Sequence, residues 1–198
     1  MTQAPREAQS ARETRETRIE VRLVVDGQGD ARVDTGIGFL DHMLTAFARH
    51  GLFDLEVSAS GDLHVDSHHL VEDVGLVLGA ALKSALGERV GIHRFGDAVV
   101  PMDEALVLAA IDLSGRPHCR CELALGAERL GGLETETVPE FFAAVATASG
   151  MNLHLVRLAG SNTHHVTEAA FKAFAKALDA ATRLDPRVEG VPSTKGVL

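Results

Sequence analysis

Two copies of one short motif carry the clearest chemical signal in this chain. His68-His69-Leu70-Val71-Glu72 recurs as His164-His165-Val166-Thr167-Glu168, and a stretch rich in alanine and leucine follows each copy. On a helix, residues three and four positions apart share a face, so each glutamate can join a histidine of its own copy. Imidazole nitrogens and carboxylate oxygens both bind divalent transition metals. Adjacent histidines lie about 100° apart around a helix, so the duplicated motif predicts a site for two ions.

The segments around both motifs predict that each copy begins a helix. Asp66 and Ser67 are suited to cap the first helix, and Asn162 or Thr163 is suited to cap the second. The positive end of a helix dipole disfavours protonated imidazole. We therefore expect the four motif histidines to stay neutral and able to bind metal.

The remaining pattern predicts an α+β fold with an internal duplication. Alternating apolar residues from Ile19 to Val25 predict a half-buried strand. Helices are predicted over 39–50, 68–86, 137–149 and 163–184, and strands over 52–57, 107–111, 119–125 and 151–158. The second half retraces the first, which predicts half-repeats at 12–95 and 96–185 within one compact domain. Residues 1–11 are expected to be a disordered arm, and residues 186–198 form a tail.

Composition narrows the cellular setting and the class of partner. The chain has 198 residues and a net charge of -9, without a long basic run. This charge argues against nucleic acid and anionic membranes as partners. No apolar run is long enough to span a bilayer, and the first eighteen residues lack the apolar stretch of a signal peptide. Two cysteines, Cys119 and Cys121, are expected to be free thiols, and we expect a cytoplasmic protein.

Several long motifs occur in an order that resembles one enzyme family. They are Arg15-Glu16-Thr17, Gly36-Ile37-Gly38-Phe39-Leu40-Asp41-His42-Met43, Gly61-Asp62-Leu63-His64-Val65-Asp66-Ser67-His68-His69, Gly91-Ile92-His93-Arg94-Phe95-Gly96, Pro101-Met102-Asp103-Glu104-Ala105, Asp112-Leu113-Ser114-Gly115-Arg116-Pro117, the stretch from His164 to Leu178, and Pro192-Ser193-Thr194-Lys195-Gly196. From Arg12 to Leu198 the chain resembles the imidazoleglycerol-phosphate dehydratases of histidine biosynthesis. The resemblance implies a duplicated fold of the ribosomal protein S5 domain 2 type. It also implies a shell of about 24 identical subunits, with dinuclear manganese sites formed between them.

The resemblance implies a set of metal ligands and one departure from the family pattern. The ligands carried over are His42, His68, His69, Glu72, His164, His165 and Glu168. The family usually has a histidine before the paired phenylalanines of the third helix, whereas this chain has Glu140. A carboxylate can also bind manganese, so Glu140 is retained as a candidate ligand. His118 is an alternative replacement, although its strand pattern predicts an exposed residue.

The resemblance also implies the substrate and the reaction. Imidazole glycerol phosphate loses water to give imidazole acetol phosphate, and its ring binds the two manganese ions as an imidazolate. The implied phosphate contacts are Arg94, Arg116, Ser193 and Lys195. Secondary candidates for contacts to the ring or the diol of the substrate are His50, Lys172 and Asp103. Glu16 matches the family's catalytic glutamate and is the candidate general acid/base.

Two other classes of protein are compatible with duplicated metal motifs. A dinuclear metallohydrolase acting on a phosphorylated small molecule explains the metal ligands but not the Ser193 and Lys195 tail. A metal-storage shell is the second alternative, although the glycine-punctuated strands argue against an all-helical bundle. Phosphate release, ketone formation and the number of metal ions per chain distinguish the three.

Overall fold

Residues 5–198 are described by the computed structural model, which has the predicted α+β architecture. The elements are β1 (Glu7–Glu13), β2 (Thr17–Val24), β3 (Ala31–Asp34), α1 (Gly38–Gly51), β4 (Asp54–Gly61), α2 (His68–Leu86), β5 (Phe95–Met102), β6 (Ala105–Asp112), β7 (His118–Glu122), β8 (Arg129–Leu130), β9 (Leu133–Glu134), α3 (Thr137–Ser149), β10 (Asn152–Ala159) and α4 (Thr163–Thr182). Both His-His-x-x-Glu motifs lie in the first turns of helices, as predicted.

The two halves of the chain repeat one topology, which confirms the predicted duplication. The first sheet has the order β1-β2-β4-β3 and the second has the order β5-β6-β10-β7. In each sheet the last pair is parallel and the other pairs are antiparallel. The register also repeats, because Val21 faces Val57 in the first sheet and Ala109 faces Leu155 in the second. The β8–β9 hairpin is an addition to the second half.

The four helices pack between the sheets and bring residues of the two halves together. α2 packs on β1 and β2, and α4 packs on β5 and β6. α2 also packs against α3, closely enough that a Cβ at Gly75 would lie 2.7 Å from the carbonyl oxygen of Phe141. α1 packs against α4, and Phe47 of α1 stacks on Phe174 of α4 with ring centroids 5.3 Å apart. This second contact places the start of α1 beside the second metal-binding motif.

The N-terminal segment differs from the expected disordered arm. Residues 7–11 lie in β1, which pairs with β2 along its whole length. The segment is polar and lacks apolar alternation, so its sequence gave no strand signal. Ion pairs fix it at both ends, from Arg6 to Asp26 at 2.6 Å and from Arg12 to Asp73 at 2.8 Å. Residues 1–4 of the predicted arm lie outside the described residues.

Candidate metal centre

Side-chain hydrogen bonds at the helix starts fix the backbone of both motifs. Asn162 caps α4, and its side-chain oxygen accepts from the backbone N–H groups of His164 and His165 at 3.0 and 3.3 Å. At α2, Asp66 accepts from the backbone N–H of His68 at 2.8 Å. Ser67 occupies the N-cap position of α2 but makes no side-chain cap bond. The backbone positions of the paired histidines are therefore fixed within the first turn of each helix.

The first cluster of ligand groups joins α1 to α4. Glu168 Oε2 lies 3.1 Å from His164 Nε2 and 3.4 Å from His42 Nε2. These three ligand atoms all lie within 4.8 Å of one another. The side chain of Glu168 is only 9% exposed, whereas both histidines reach solvent. Two imidazoles and one carboxylate fit a divalent transition metal, so this cluster can hold one ion.

A lysine and a further histidine adjoin this cluster. Lys172 Nζ lies 2.6 Å from Glu168 Oε1, one turn along the helix. Burial works to raise the pKa of Glu168, but hydrogen bonds from Lys172 and the two imidazoles outweigh it and leave the pKa lowered. The pKa of His50 is lowered by its burial and by the positive charge of Lys172. Two of the substrate contacts implied by the sequence thus lie beside the buried carboxylate.

The second cluster of ligand groups lies where the first hairpin meets α2. His69 Nδ1 is 3.0 Å from Asp62 Oδ2 and 3.9 Å from Glu16 Oε2. Asp62 immediately follows β4 and was not singled out from the sequence. The remaining ligands of the first motif form a separate pair, with His68 Nε2 3.9 Å from Glu72 Oε2. The structure thus brings Glu16, the candidate acid/base, beside one motif histidine.

The second histidine of the other motif also meets carboxylates. His165 Nδ1 lies 2.7 Å from Glu104 Oε2, and its Nε2 lies 3.7 Å from Asp103 Oδ2. The bond to His165, together with the backbone N–H of Asn162, lowers the pKa of Glu104 to about 2. Glu104 was not predicted as a site residue. Its sequence signals are its place in the family motif from Pro101 to Ala105 and in the turn before β6.

For two of the four motif histidines, the pKa shift is opposite in direction to the predicted effect of the helix dipole. The hydrogen bond to Glu104 raises the pKa of His165, and the hydrogen bond to Asp62 raises the pKa of His69. A carboxylate within hydrogen-bond distance acts more strongly than the partial charge of a helix end. Metal binding at these two histidines therefore competes with a proton.

Glu140 occupies the position in the second half that His42 occupies in the first. Each lies the same number of residues before the left-handed C-cap of its helix, which is Leu52 for α1 and Gly150 for α3. Glu140 is exposed and, among the described residues, belongs to neither cluster of three ligand groups. The alternative His118 is exposed on β7, as predicted.

The four residues implied to bind phosphate lie at the far end of the second sheet from Glu104. Arg94 forms a two-pronged ion pair with Asp112, the last residue of β6, and donates to the carbonyl oxygen of Pro192 at 2.9 Å. Glu104 directly precedes β6, so the two ends are roughly 25 Å apart at about 3.3 Å per residue.

The C-terminal tail gathers the other phosphate candidates at this end. It runs from Pro192 past the loop that holds Arg116, where a Cβ at Gly115 would lie 2.6 Å from the carboxyl carbon of Leu198. Within the tail, the backbone N–H of Lys195 donates to Ser193 Oγ at 3.2 Å. One chain thus holds its phosphate candidates and its second metal motif at opposite ends of one strand.

Comparisons with known proteins agree with the architecture and the motifs. Residues 35–178 match the family model described as imidazoleglycerol-phosphate dehydratase. Among curated proteins of that name, the chain is 56% identical to the one from Lachnoclostridium phytofermentans, with 98% of each chain covered. It is 58% identical to the one from Acetivibrio thermocellus, covering 98% of this chain and 99% of that protein.

Two solved structures of the same name share the fold. The crystal structure from Staphylococcus aureus superposes with a TM-score of 0.82 at 36% identity, covering 90% of this chain and 99% of that chain. The structure from Pyrococcus furiosus, solved in complex with (S)-C348, gives a TM-score of 0.82 at 39% identity over 95% of this chain and 99% of that chain. With its duplicated halves and its paired histidine motifs, the chain belongs to the imidazoleglycerol-phosphate dehydratase family.

Proposed function

We propose that this chain removes water from imidazole glycerol phosphate to give imidazole acetol phosphate in histidine biosynthesis. The observation that carries the proposal is the pair of His-His-x-x-Glu helix starts, each with its own cluster of ligand groups. Membership of the family supplies the substrate and the reaction. The two motifs supply nitrogen and oxygen ligands for metal ions. The chain has no tyrosine, so its chemistry cannot use a phenol.

The proposed cofactor is a pair of Mn²⁺ ions in each active site. The proposed ligands are His42, His68, His69, Glu72, Glu140, His164, His165 and Glu168. Imidazoles mixed with carboxylates suit manganese better than a thiolate set would, and the fit is supported by the first cluster, whose three ligand atoms already converge. Bound ions would act as Lewis acids that stabilise negative charge on the imidazole ring of the substrate.

The proposed active site is shared between subunits of a closed homo-oligomer, for which we propose 24 copies. Support comes from the separation of groups within one chain. Among the described residues, neither cluster contains ligands from both motifs. The phosphate candidates lie at the opposite end of β6 from Glu104 and His165. A second chain that contributes the missing half explains why each part is incomplete alone.

The chain's own side chains would bind the phosphate and move the proton. Arg94 uses three donor groups on Asp112 and Pro192, so it would bind phosphate with its remaining N–H groups while holding the tail. Arg116, Ser193 and Lys195 would complete the phosphate site. Glu16 is 58% exposed and 3.9 Å from His69 Nδ1, so its carboxylate is free to take a proton from the side chain of the substrate.

The remaining substrate contacts and the cellular location are also proposed. His50, Lys172 and Asp103 are proposed to contact the substrate, since they lie beside the ligand clusters. None of the described helices is long and apolar enough to cross a membrane. Both cysteines are free, which supports the proposed cytoplasmic location.

The test is to identify the product formed from imidazole glycerol phosphate by the purified chain reconstituted with Mn²⁺. A phosphorylated ketone with no free phosphate is the expected result. Release of inorganic phosphate would instead identify a metallohydrolase. Many ions bound per chain and no turnover would identify a storage protein.

A further inference from the structure

The second histidine of each motif makes the same kind of contact through the same ring atom. His69 uses Nδ1 to meet Asp62 at 3.0 Å, and His165 uses Nδ1 to meet Glu104 at 2.7 Å. An imidazole that donates its Nδ1 hydrogen to a carboxylate presents the lone pair of Nε2. Such carboxylates fix the orientation of a metal-binding histidine and make it a stronger ligand.

The two carboxylates come from different places in the duplicated fold. Asp62 immediately follows the last strand of the first sheet, β4, whereas Glu104 immediately precedes β6 in the second hairpin. The counterpart of Glu104 in the first hairpin is Glu16, which immediately precedes β2. The register of β10 shifts between Arg157 and Ala159, so that Ala159 faces Leu106 as Ser60 faces Arg18 in the first half. The counterpart of Asp62 in the second half is therefore Ser161. The carboxylate that contacts Nδ1 of the second histidine therefore comes from non-equivalent positions in the two halves.

The position equivalent to Asp62 carries no carboxylate in the second half. Ser161 occupies it, and its hydroxyl lacks the negative charge with which Asp62 meets His69. Gly160, one residue earlier, packs so closely on β6 that a Cβ there would lie 2.4 Å from the Cα of Ala105. The carboxylate that meets His165 comes instead from the hairpin, as Glu104.

In the second cluster, the carboxylate that meets the histidine comes from the end of a strand and not from the hairpin. Asp62 Oδ1 is buried and has no hydrogen-bond partner among the described residues, so the contact of this side chain with His69 is the one that accounts for its position. Because Asp62 takes the Nδ1 atom of His69, Glu16 remains 3.9 Å away. Glu104, by contrast, is held by His165 and by the backbone N–H of Asn162 at 3.0 Å.

We propose that Asp62 and Glu104 are positioning residues that hold His69 and His165 with Nε2 directed to the metal, and that this arrangement leaves Glu16 free to move a proton. The inference rests on the proposed function for the role of Glu16 and for the metal. It gives two hairpin glutamates at equivalent positions different tasks: Glu104 orients a ligand, and Glu16 reacts. Neither Asp62 nor Glu104 is then itself a metal ligand.

The test is the affinity of the metal-stripped full chain for Mn²⁺ alone, measured by calorimetric titration. Glu104→Gln and Asp62→Asn are expected to weaken binding about 10- to 100-fold while the number of ions bound at saturation stays unchanged. Glu16→Gln is expected to bind Mn²⁺ as the wild type does. Glu122→Gln, a change at an exposed strand residue, is the matched control.

Companion variants separate a positioning role from ligation and from misfolding. His165→Ala removes a proposed ligand and should reduce the number of ions bound. Glu104→Asp keeps the negative charge on a side chain that is one methylene shorter. The affinity of this variant for Mn²⁺ should therefore fall between the affinities of Glu104→Gln and the wild type. Circular dichroism of the metal-free variants checks that they fold.

Three results would overturn the inference. They are wild-type affinity in both Glu104→Gln and Asp62→Asn, weakened affinity in Glu16→Gln equal to that of Glu104→Gln, and a reduced number of bound ions in Asp62→Asn. The proposed function fails separately, through absence of turnover by the wild type, because Mn²⁺ affinity is measured without substrate.

Discussion

Replacing Lys172 with methionine tests how the chain tolerates a buried carboxylate before metal binds. Glu168 is 9% exposed and has a lysine ammonium 2.6 Å away, and the lysine itself is 21% exposed. Methionine retains much of the length and apolar stem of lysine but removes its charge. Among the described residues, the variant would leave Glu168 with two imidazoles as its side-chain partners, at 3.1 and 3.4 Å.

The magnitude follows from the burial of this pair. A charge-assisted hydrogen bond contributes about 1.5–3 kcal/mol, and solvent screens this one little because both side chains are mostly buried. For a chain of this size, each kcal/mol shifts the melting temperature by about 2–4 °C. We therefore expect metal-free Lys172→Met to melt roughly 3–12 °C below the wild type. A bound divalent ion supplies the missing positive charge, so the difference should shrink when Mn²⁺ is present.

The pH dependence gives an independent check. The folded-state pKa of Glu168 is lowered, so its contribution to stability is present above the pKa of the unfolded chain. That contribution is lost as the pH falls through the folded pKa. Metal-free wild type and Lys172→Met should therefore differ at neutral pH and converge in acid.

The assay is thermal unfolding of the wild type and Lys172→Met, with and without Mn²⁺, from neutral pH down into acid. Lys176→Met is the control, because it removes another lysine of the same helix. Equal melting temperatures for the metal-free wild type and Lys172→Met at neutral pH would refute the reasoning. A difference that Mn²⁺ fails to reduce would show that the lysine and the metal do not stabilise the same carboxylate.

Three further variants test other parts of the account. Glu16→Gln should lower turnover by roughly 10²–10⁴-fold and leave Mn²⁺ content intact, whereas Glu13→Gln, at the exposed end of β1, should be nearly silent; steady-state kinetics beside metal analysis decides. Lys195→Ala should weaken substrate binding roughly tenfold to hundredfold without loss of metal, and a dephosphorylated substrate analogue that binds the wild type as tightly as the substrate would contradict the phosphate site. Gly160→Ala should cost about 1–3 kcal/mol of unfolding free energy by denaturant titration, because its Cβ meets Ala105; unchanged stability would contradict the packing argument.

Most of the fold could be predicted because the relevant signals are local. The bounds of α2 and α3 match the structure, since an amphipathic pattern and a terminal glycine mark where each helix ends. Alternation in β2 predicted its buried face. The polar edge strand β1 and the short strand β3 escaped prediction, because pairing with a neighbour rather than an apolar pattern defines them.

The residue types of the candidate site could be predicted from the sequence, but the contacts between elements distant in sequence could not. Spacing within a helix predicted that His164 and Glu168 meet, as they do at 3.1 Å. The contact of His42 with Glu168 depends on how α1 packs on α4, which no local pattern encodes. The pairing of His165 with Glu104 depends on a turn that is distant in sequence, so the raised pKa of this histidine could not be foreseen.

The most direct test of the account is activity from two inactive variants mixed in one assembly. His68→Ala disrupts the first motif and His164→Ala disrupts the second, so each homogeneous assembly should be inactive. After chelation, mixing in equal amounts and reassembly with Mn²⁺, sites shared between subunits should recover about a quarter of wild-type turnover, because random pairing joins two intact halves in about one interface of four. No activity in the mixture, with wild-type protein surviving the same procedure, would contradict an active site built from two chains.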